Sequence, residues 1–375
     1  MPGPSPVHPR TMVDFYRPVH CILGLPFDAL NAQQALRRLE EARAGGPRCF
    51  LSTPNLNFLV ASQRDPAFRD SVCRSDLSVA DGMPLVWLAR LLGLPLPERV
   101  SGSGLFELLR RRSGLPWDVF FFGGQPDAGR LACEALGGQP SSMRAAGHLC
   151  PGFGSVEQMS PPEWIERINA SGAHLVVVSL GSAKGQAWIS RNLDQLHAPV
   201  ISHLGAVVNF VAGTVARAPR WMQRTGLEWL WRVKEEPQLW QRYARDGLAL
   251  LRLLATRVAP LVMLQQLQAP PEQAYRQARV TRPRTTDKAC ASLQGAWRDD
   301  NLLPVRQAFT QLLAMGGDVT LDLADTTWVG SSLAGLLALL DTALRDRGDR
   351  LRLTQVPPRI RRLLYLHGAL PEGAL

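Results

Sequence analysis

The chain has 375 residues, enough for two domains and a substantial core, with a composition in the ordinary globular range. Its formal charge of +10 is carried almost wholly by arginine, because Lys184, Lys234 and Lys288 are the only lysines; that balance admits nucleic acid, an anionic membrane or a phosphorylated substrate as partner and selects none of them. Six scattered cysteines (Cys21, Cys49, Cys73, Cys133, Cys150 and Cys290) form no C-x-x-C pair, which argues against a zinc ribbon or disulfide framework and for a reducing compartment.

Residues 1–19 begin Met1-Pro-Gly-Pro-Ser-Pro, too rich in proline for a signal peptide, and are expected to be disordered. A first strand is read over His20–Phe27 and a helix over Asp28–Ala44, with Ala32, Ala35, Leu36 and Leu39 on its buried side. A second strand, Arg48–Thr53, leads through Pro54-Asn55-Leu56-Asn57 into an apolar helix containing Phe58, Leu59 and Val60. Leu77–Ala80 then reaches Asp81-Gly82, and Pro84 opens an apolar run at helical spacing, so the stretch reads as strand, sharp turn, helix. Asp81 therefore falls at the carboxyl end of a buried strand, the edge where open α/β sheets bind ligands. Thr53, Asn55, Asn57 and Asp81 are candidates for one crevice. The alternative is that Asn55 is a helix cap and Asp81 a turn former, since both residue types favour those positions.

A glycine-rich turn around Gly102-Ser103-Gly104 precedes a helix over Leu105–Arg111. Trp117–Phe122 is a buried strand running into Gly123-Gly124-Gln125-Pro126 and a helix over Asp127–Leu136. A glycine pair at such a turn either lets backbone N–H groups approach a phosphate or serves as a plain connection. Ala173–Gly181 repeats the design, with Ser182-Ala-Lys184-Gly185-Gln186 opening the next helix, and Val200–Leu204 supplies a further strand. Strands alternating with helices over 20–215 predict a mostly parallel, doubly wound, Rossmann-like α/β sheet.

From Arg217 to Arg257 arginines alternate with Trp221, Trp229, Trp231, Trp240 and Tyr243, the composition of a surface lying on an anionic membrane. The plainer reading is a helical cap that packs its tryptophans on the sheet. Nucleic acid is disfavoured, as no nucleic-acid module is recognisable. Gly247–Leu267 comes nearest to a spanning helix but is interrupted by Arg252 and Arg257, so a cytoplasmic chain is expected. Residues 259–278 read as a linker. Beyond them Val319–Ala324, Ser331–Leu344, Asp349–Leu353 and Arg359–His367 read as strand, amphipathic helix, strand and helix of a small α+β domain over 279–375.

Residues 20–258 resemble the WecG/TagA/CpsF glycosyltransferases of bacterial surface polysaccharide synthesis. The likeness runs in order through Thr53-Pro-Asn55-x-Asn57, Ala80-Asp81-Gly82-Met-Pro, Glu98-Arg99-Val-Ser-Gly102-Ser103, Phe122-Gly-Gly124-x-Pro126, Gly181-x-x-Lys184, Arg217-Ala-Pro-x-Trp221 and Gly226-Leu-Glu228-Trp229. It implies an inverting, metal-independent transfer of an N-acetylmannosamine-type or related hexose from a UDP donor to a polyprenyl-diphosphate-linked acceptor. The setting implied is the inner face of the cell membrane, without a cofactor; a homo-oligomer is a possible state. By that likeness Asp81 is the general base, and Thr53 and Asn55 shape the catalytic pocket. Asn57, Gly82, Arg99, Gly102, Ser103, Gly123, Gly124, Lys184, Gln186, Arg217, Arg224 and Arg232 are the candidate substrate-binding residues. Up to Arg217 there is no Asp-x-Asp, so arginines and backbone N–H groups are expected to stabilise the leaving diphosphate.

The chain departs from the family pattern at Gly185, where a glutamine is usual, at Gln186, where a glutamate is usual, and at Gly104 and Asn209, where aspartates are usual. Those changes bear on donor preference, and a catalytically degenerate nucleotide-sugar or lipid-binding regulator is the alternative. Residues 279–375 resemble a STAS domain, the anti-sigma-factor-antagonist fold, a module for protein partners. There Ser331 occupies the phosphorylated serine's position, although Gly330 and Leu333 replace the flanking aspartate and glycine. Ser331 is accordingly a candidate regulatory phosphoacceptor or a plain N-cap.

Overall fold

The structure, a computed structural model, describes residues 13–112, 114–138, 142–281 and 289–369. The first twelve residues of the expected disordered N-terminus lie outside that range. The rest of it is ordered by burial: Phe15 is 1% exposed and stacks edge-on against Phe309, and Arg17 pairs with Asp28 at 2.7 Å.

The expected first strand is instead two, β1 (Val19–Ile22) and β2 (Leu25–Asp28), paired antiparallel. Leu23 and Gly24 both take positive φ, 50° and 93°, the backbone of a two-residue hairpin turn. Leucine is a poor turn signal, so the apolar run disguises the reversal. The following helix begins at Ala32, later than expected, because Asn31 and Gln34 form a reciprocal capping box there.

The N-terminal sheet has six parallel strands: β3 (Cys49–Ser52), β4 (Leu77–Ser78), β5 (Trp117–Gly123), β6 (Met143–Leu149), β7 (Leu175–Ser179) and β8 (Val200–His203), in spatial order β4-β3-β8-β7-β5-β6. Strand β5 alternates Val119 and Phe121 into one core with Phe120 and Phe122 into another, so burial on both faces explains its unbroken apolar run. Strand β6 was not anticipated. Its sequence, Met-Arg-Ala-Ala-Gly-His-Leu, lies at the sheet edge and is half exposed, without the apolar run that marks a central strand.

The C-terminal sheet contains β9 (Arg279–Thr281), β10 (Ala289–Trp297), β11 (Val319–Asp322), β12 (Thr326–Val329) and β13 (Leu351–Thr354), in order β12-β10-β11-β13 with β9 antiparallel on β10. Its helix Ser331–Arg345 is buried all round rather than amphipathic. One face covers its own sheet and the other receives the β1–β2 hairpin, with Val19 Cγ atoms where a side chain at Gly335 would stand. Phe15, Val19, Phe27 and Phe68 thus belong to one continuous core with Leu333, Leu336 and Leu340, so the expected independent C-terminal unit shares its core with the hairpin and with helices that flank the N-terminal sheet.

The expected linker is also structured. A continuous helix runs Pro237–Gln268, followed by the helix Glu272–Arg276, and Leu261, Leu264 and Tyr275 are buried. The long helix widens into a π turn over Leu254–Val258, just before Pro260. Proline has no N–H and its ring collides with the carbonyl four residues back, and the wider turn accommodates both. By length and composition this helix is long and apolar enough to cross a membrane, contrary to expectation: Arg252 and Arg257 are too few to disqualify it.

Candidate active site

All six parallel strands of the N-terminal sheet end at one edge, and the turns leaving β3, β4, β5, β7 and β8 gather there. After β4, the Asp81 N–H donates to Pro54 O at 2.8 Å and Val100 N–H donates to Ala80 O at 2.9 Å, so Asp81 is fixed between two neighbouring turns. Gly82 follows at φ 143°, which a side chain would not tolerate, and Pro84 sits in the first turn of the helix Met83–Leu91.

The Asp81 carboxylate is about one-quarter exposed and its contacts are long: Arg99 Nη2 at 3.3 Å, Arg99 Nε at 3.4 Å and the Gly102 N–H at 3.4 Å. Arg99 makes its short contact elsewhere, 2.5 Å to Glu228, and donates a further 3.2 Å bond to Gln223 O. Burial pushes the Asp81 carboxyl above its usual range and nearby Glu228 adds to the rise, while Arg99 opposes it. The result is a carboxylate held in place without being consumed by an ion pair.

Thr53 and Gly102 meet across this site. A side chain at Gly102 would lie 2.4 Å from Leu204 Cδ2 and 3.2 Å from Thr53 Oγ1, so only glycine lets these turns close. Asn55 serves as the cap of the helix Leu56–Ser62, accepting from Phe58 N at 3.2 Å, which is the plainer of its two readings. Asn57 donates to Asp246 on the long helix at 3.2 Å and accepts from Ser182 at 3.3 Å.

The Arg/Trp segment folds over the same edge. Gly226, at φ 78°, rests against Met83 and Trp87 with no room for a Cβ. Arg217 donates to Ser103 Oγ at 3.1 Å, and the Arg217 and Arg232 guanidinium groups each lie 5.7 Å from the Phe210 ring. Arg224 is carried by the helix Arg220–Thr225, and its side chain lies outside what is described.

Other candidates are engaged with neighbours in the protein. Gly124 N–H already donates to Ser179 O at 2.7 Å, and a side chain at Gly123 would strike that same carbonyl, so this pair serves close packing rather than a free phosphate cradle. Gln186 is fully buried and bonded to Ser52 at 3.1 Å, behind the sheet edge. Lys184 fastens Gly154 O at 2.9 Å. The unusual Gly185 has a local cause: a Cβ there would lie 2.1 Å from the His203 ring, which occupies the space.

Ser331 does not face solvent. It is 8% exposed, and its hydroxyl and that of Ser332 both lie 3.0 Å from His20 Nδ1; Ser332 also donates to Asp299 at 3.1 Å. Of its two readings, phosphoacceptor or plain N-cap, the first meets a hydroxyl that the hairpin covers, and the N-cap position itself is Gly330.

Two site residues escaped sequence reasoning. Glu228 was visible only as part of a motif. Asp246 is 6% exposed, and its carboxyl is pushed up chiefly by burial; its one signal was being the only acidic residue in the apolar helix Trp240–Leu253.

Comparison with known proteins gives two matches. Residues 20–261 match the family described as Glycosyl transferase WecG/TagA/CpsF, and residues 281–369 match the one described as Mlab, STAS domain.

Proposed function

Because this chain belongs to the WecG/TagA/CpsF glycosyltransferase family, acting in polysaccharide biosynthesis, we propose that it transfers a hexose of the N-acetylmannosamine type from a UDP donor to a polyprenyl-diphosphate-linked acceptor, with inversion. The acceptor hydroxyl loses its proton to Asp81 as its oxygen bonds to the anomeric carbon. The bond from that carbon to the UDP oxygen breaks, and UDP departs with the electron pair. A base must reach that hydroxyl while remaining ionised, and the long contacts around Asp81 leave it free to accept.

The leaving diphosphate gains negative charge as it departs. Arg217 and Arg232, on the segment that folds over the site, are the cations suited to meet it. Ser179 at the end of β7 and Asn209 on the helix Val207–Val211 each bury a side-chain oxygen without a partner, sites that a bound nucleotide would satisfy. The Arg/Trp composition of 217–258 supports work at the cytoplasmic face of an anionic membrane, where a lipid-linked acceptor resides.

The observation that carries this reading is the Asp81–Arg99–Glu228 arrangement at the carboxyl edge of the sheet. The experiment is a panel of UDP-sugars with a polyprenyl-diphosphate sugar, following UDP release and product mass. Release with one donor supports the proposal. The chain's departure at Gly185, with His203 filling the space, favours the second reading, a degenerate regulator that binds nucleotide sugar. Binding without turnover across the panel would establish that reading instead.

A further inference from the structure

The helix Pro237–Gln268 raises a question of topology. At 1.5 Å per residue its 32 residues reach about 48 Å, beyond the roughly 30 Å of a bilayer's hydrocarbon. If it crossed, the sheet before it and the STAS domain after it would lie on opposite sides of the membrane. They touch. Arg345 pairs with Asp70 (2.9 Å from Nη2), Arg74 with Asp346 (2.6 Å), Arg306 donates to Arg17 O (2.8 Å), and the β1–β2 hairpin shares its core with the helix Ser331–Arg345. The helix itself is fastened at three levels. Asp246 takes a hydrogen bond from Asn57, Arg257 lies 4.1 Å from the Tyr365 ring and bonds its carbonyl, and Arg359 bonds Gln268 O.

One face of this fastened helix is nonetheless apolar and bare. Leu248 is 69% exposed, Leu251 63%, Met263 59% and Leu267 76%, with exposed Ala244 before them and exposed Ala255 and Ala259 among them. Positions stepping mostly by four run ahead of the 3.6-residue repeat. The π turn at Leu254–Val258 adds a residue to one turn and rotates the second half back, so the stripe stays on one face over about 35 Å. The opposite face, with Val258, Leu261 and Leu264, is buried. Exposed Arg245 and Arg252 flank the stripe, and exposed Trp221, Trp229 and Trp240 stand at or before its amino end. Cations and indoles bordering an apolar strip match the headgroup level of an anionic bilayer.

We infer that the helix Pro237–Gln268 lies in the plane of an anionic membrane surface, its 244–267 stripe immersed, with the catalytic and STAS domains held together on the same side. This rests on the membrane part of the proposed function and adds its orientation and contact residues. The STAS domain acquires a role here, since Tyr365 and Arg359 hold the carboxyl half of the helix flat.

The test is flotation of the full chain with vesicles of phosphatidylglycerol and phosphatidylcholine, and with phosphatidylcholine alone, comparing it with Leu248→Asp/Leu251→Asp/Met263→Asp. The native chain is expected to float with the anionic vesicles, and the triple variant to lose about ten-fold or more in partitioning. Protease added outside is expected to cut both domains. Equal flotation of the variant, absence of flotation by the native chain, or protection of one domain inside the vesicle overturns the inference. So does a native dimer that the triple variant dissolves, since a second copy would then cover the stripe. Failure of the transferase reading would appear separately, as no UDP release in detergent with flotation intact.

Discussion

Asp81 and Glu228 share one guanidinium, and the sharing is unequal: Arg99 lies 2.5 Å from Glu228 and 3.3 Å from Asp81. Glu228 thereby draws the cation away from Asp81, as the proposed role of base requires. Asp81→Asn is expected to lower turnover by about two to four orders of magnitude with nucleotide affinity largely kept, measured by UDP release and by calorimetry. An unchanged rate removes Asp81 from the role of base. Burial raises the carboxyl's pKa, and a base acts in its ionised form, so under the proposed role activity should fall as pH drops through a value above the usual carboxylate range. In Glu228→Gln, loss of the neighbouring negative charge should move that acid limb to lower pH, visible in a pH–rate profile. A second titration concerns stability. His367 is 2% exposed and burial lowers its pKa to about 4, so the folded chain refuses a proton that the unfolded chain takes near pH 6.5. This group's contribution is whole above about pH 6.5 and declines toward pH 4, by about 3 kcal/mol. His367→Gln should flatten the corresponding slope of urea midpoint against pH.

The β1–β2 hairpin and the helix Ser331–Arg345 work as one joint. The turn residue Leu23 stands at φ 50°, which costs roughly 1 kcal/mol for a leucine, yet its side chain is 1% exposed. Truncating a buried leucine loses about 2–5 kcal/mol, so burial wins and Leu23→Gly should destabilise the chain despite relieving the backbone. Gly335→Leu is expected to press on Val19, 3.3 Å from where its Cβ would stand, and to cost about 1–3 kcal/mol in urea unfolding. If that variant is as stable as the native chain, the joint is looser than its geometry. The same joint covers Ser331, so a kinase would meet that hydroxyl only after the hairpin lifted away.

One apolar core joins the C-terminal sheet to the β1–β2 hairpin and to the helices Leu56–Ser62, Pro66–Cys73 and Met83–Leu91 of the N-terminal part. Residues 13–278 produced alone should therefore expose the face that Leu333 and Leu336 cover and bind a hydrophobic dye or aggregate; a monodisperse product as stable as the full chain would show the junction to be dispensable. By itself the sequence determined the parallel α/β architecture, the α+β end, the strand-end position of Asp81 and both family likenesses. These rest on local signals: alternation of apolar runs, turn residues and short motifs whose spacing reports a backbone shape. Only the tertiary structure decided that Asn55 is a cap, that Gln186 and Ser331 are buried, that Arg99 is divided between two acids, and that the presumed linker is a packed helix. Apart from the Asn55 cap, whose partner Phe58 is three residues on, those depend on partners tens to hundreds of residues away, such as His20 for Ser331 and Ser52 for Gln186. A side chain's type announces what it can bond. Which neighbour takes the bond is settled when burial brings distant segments together.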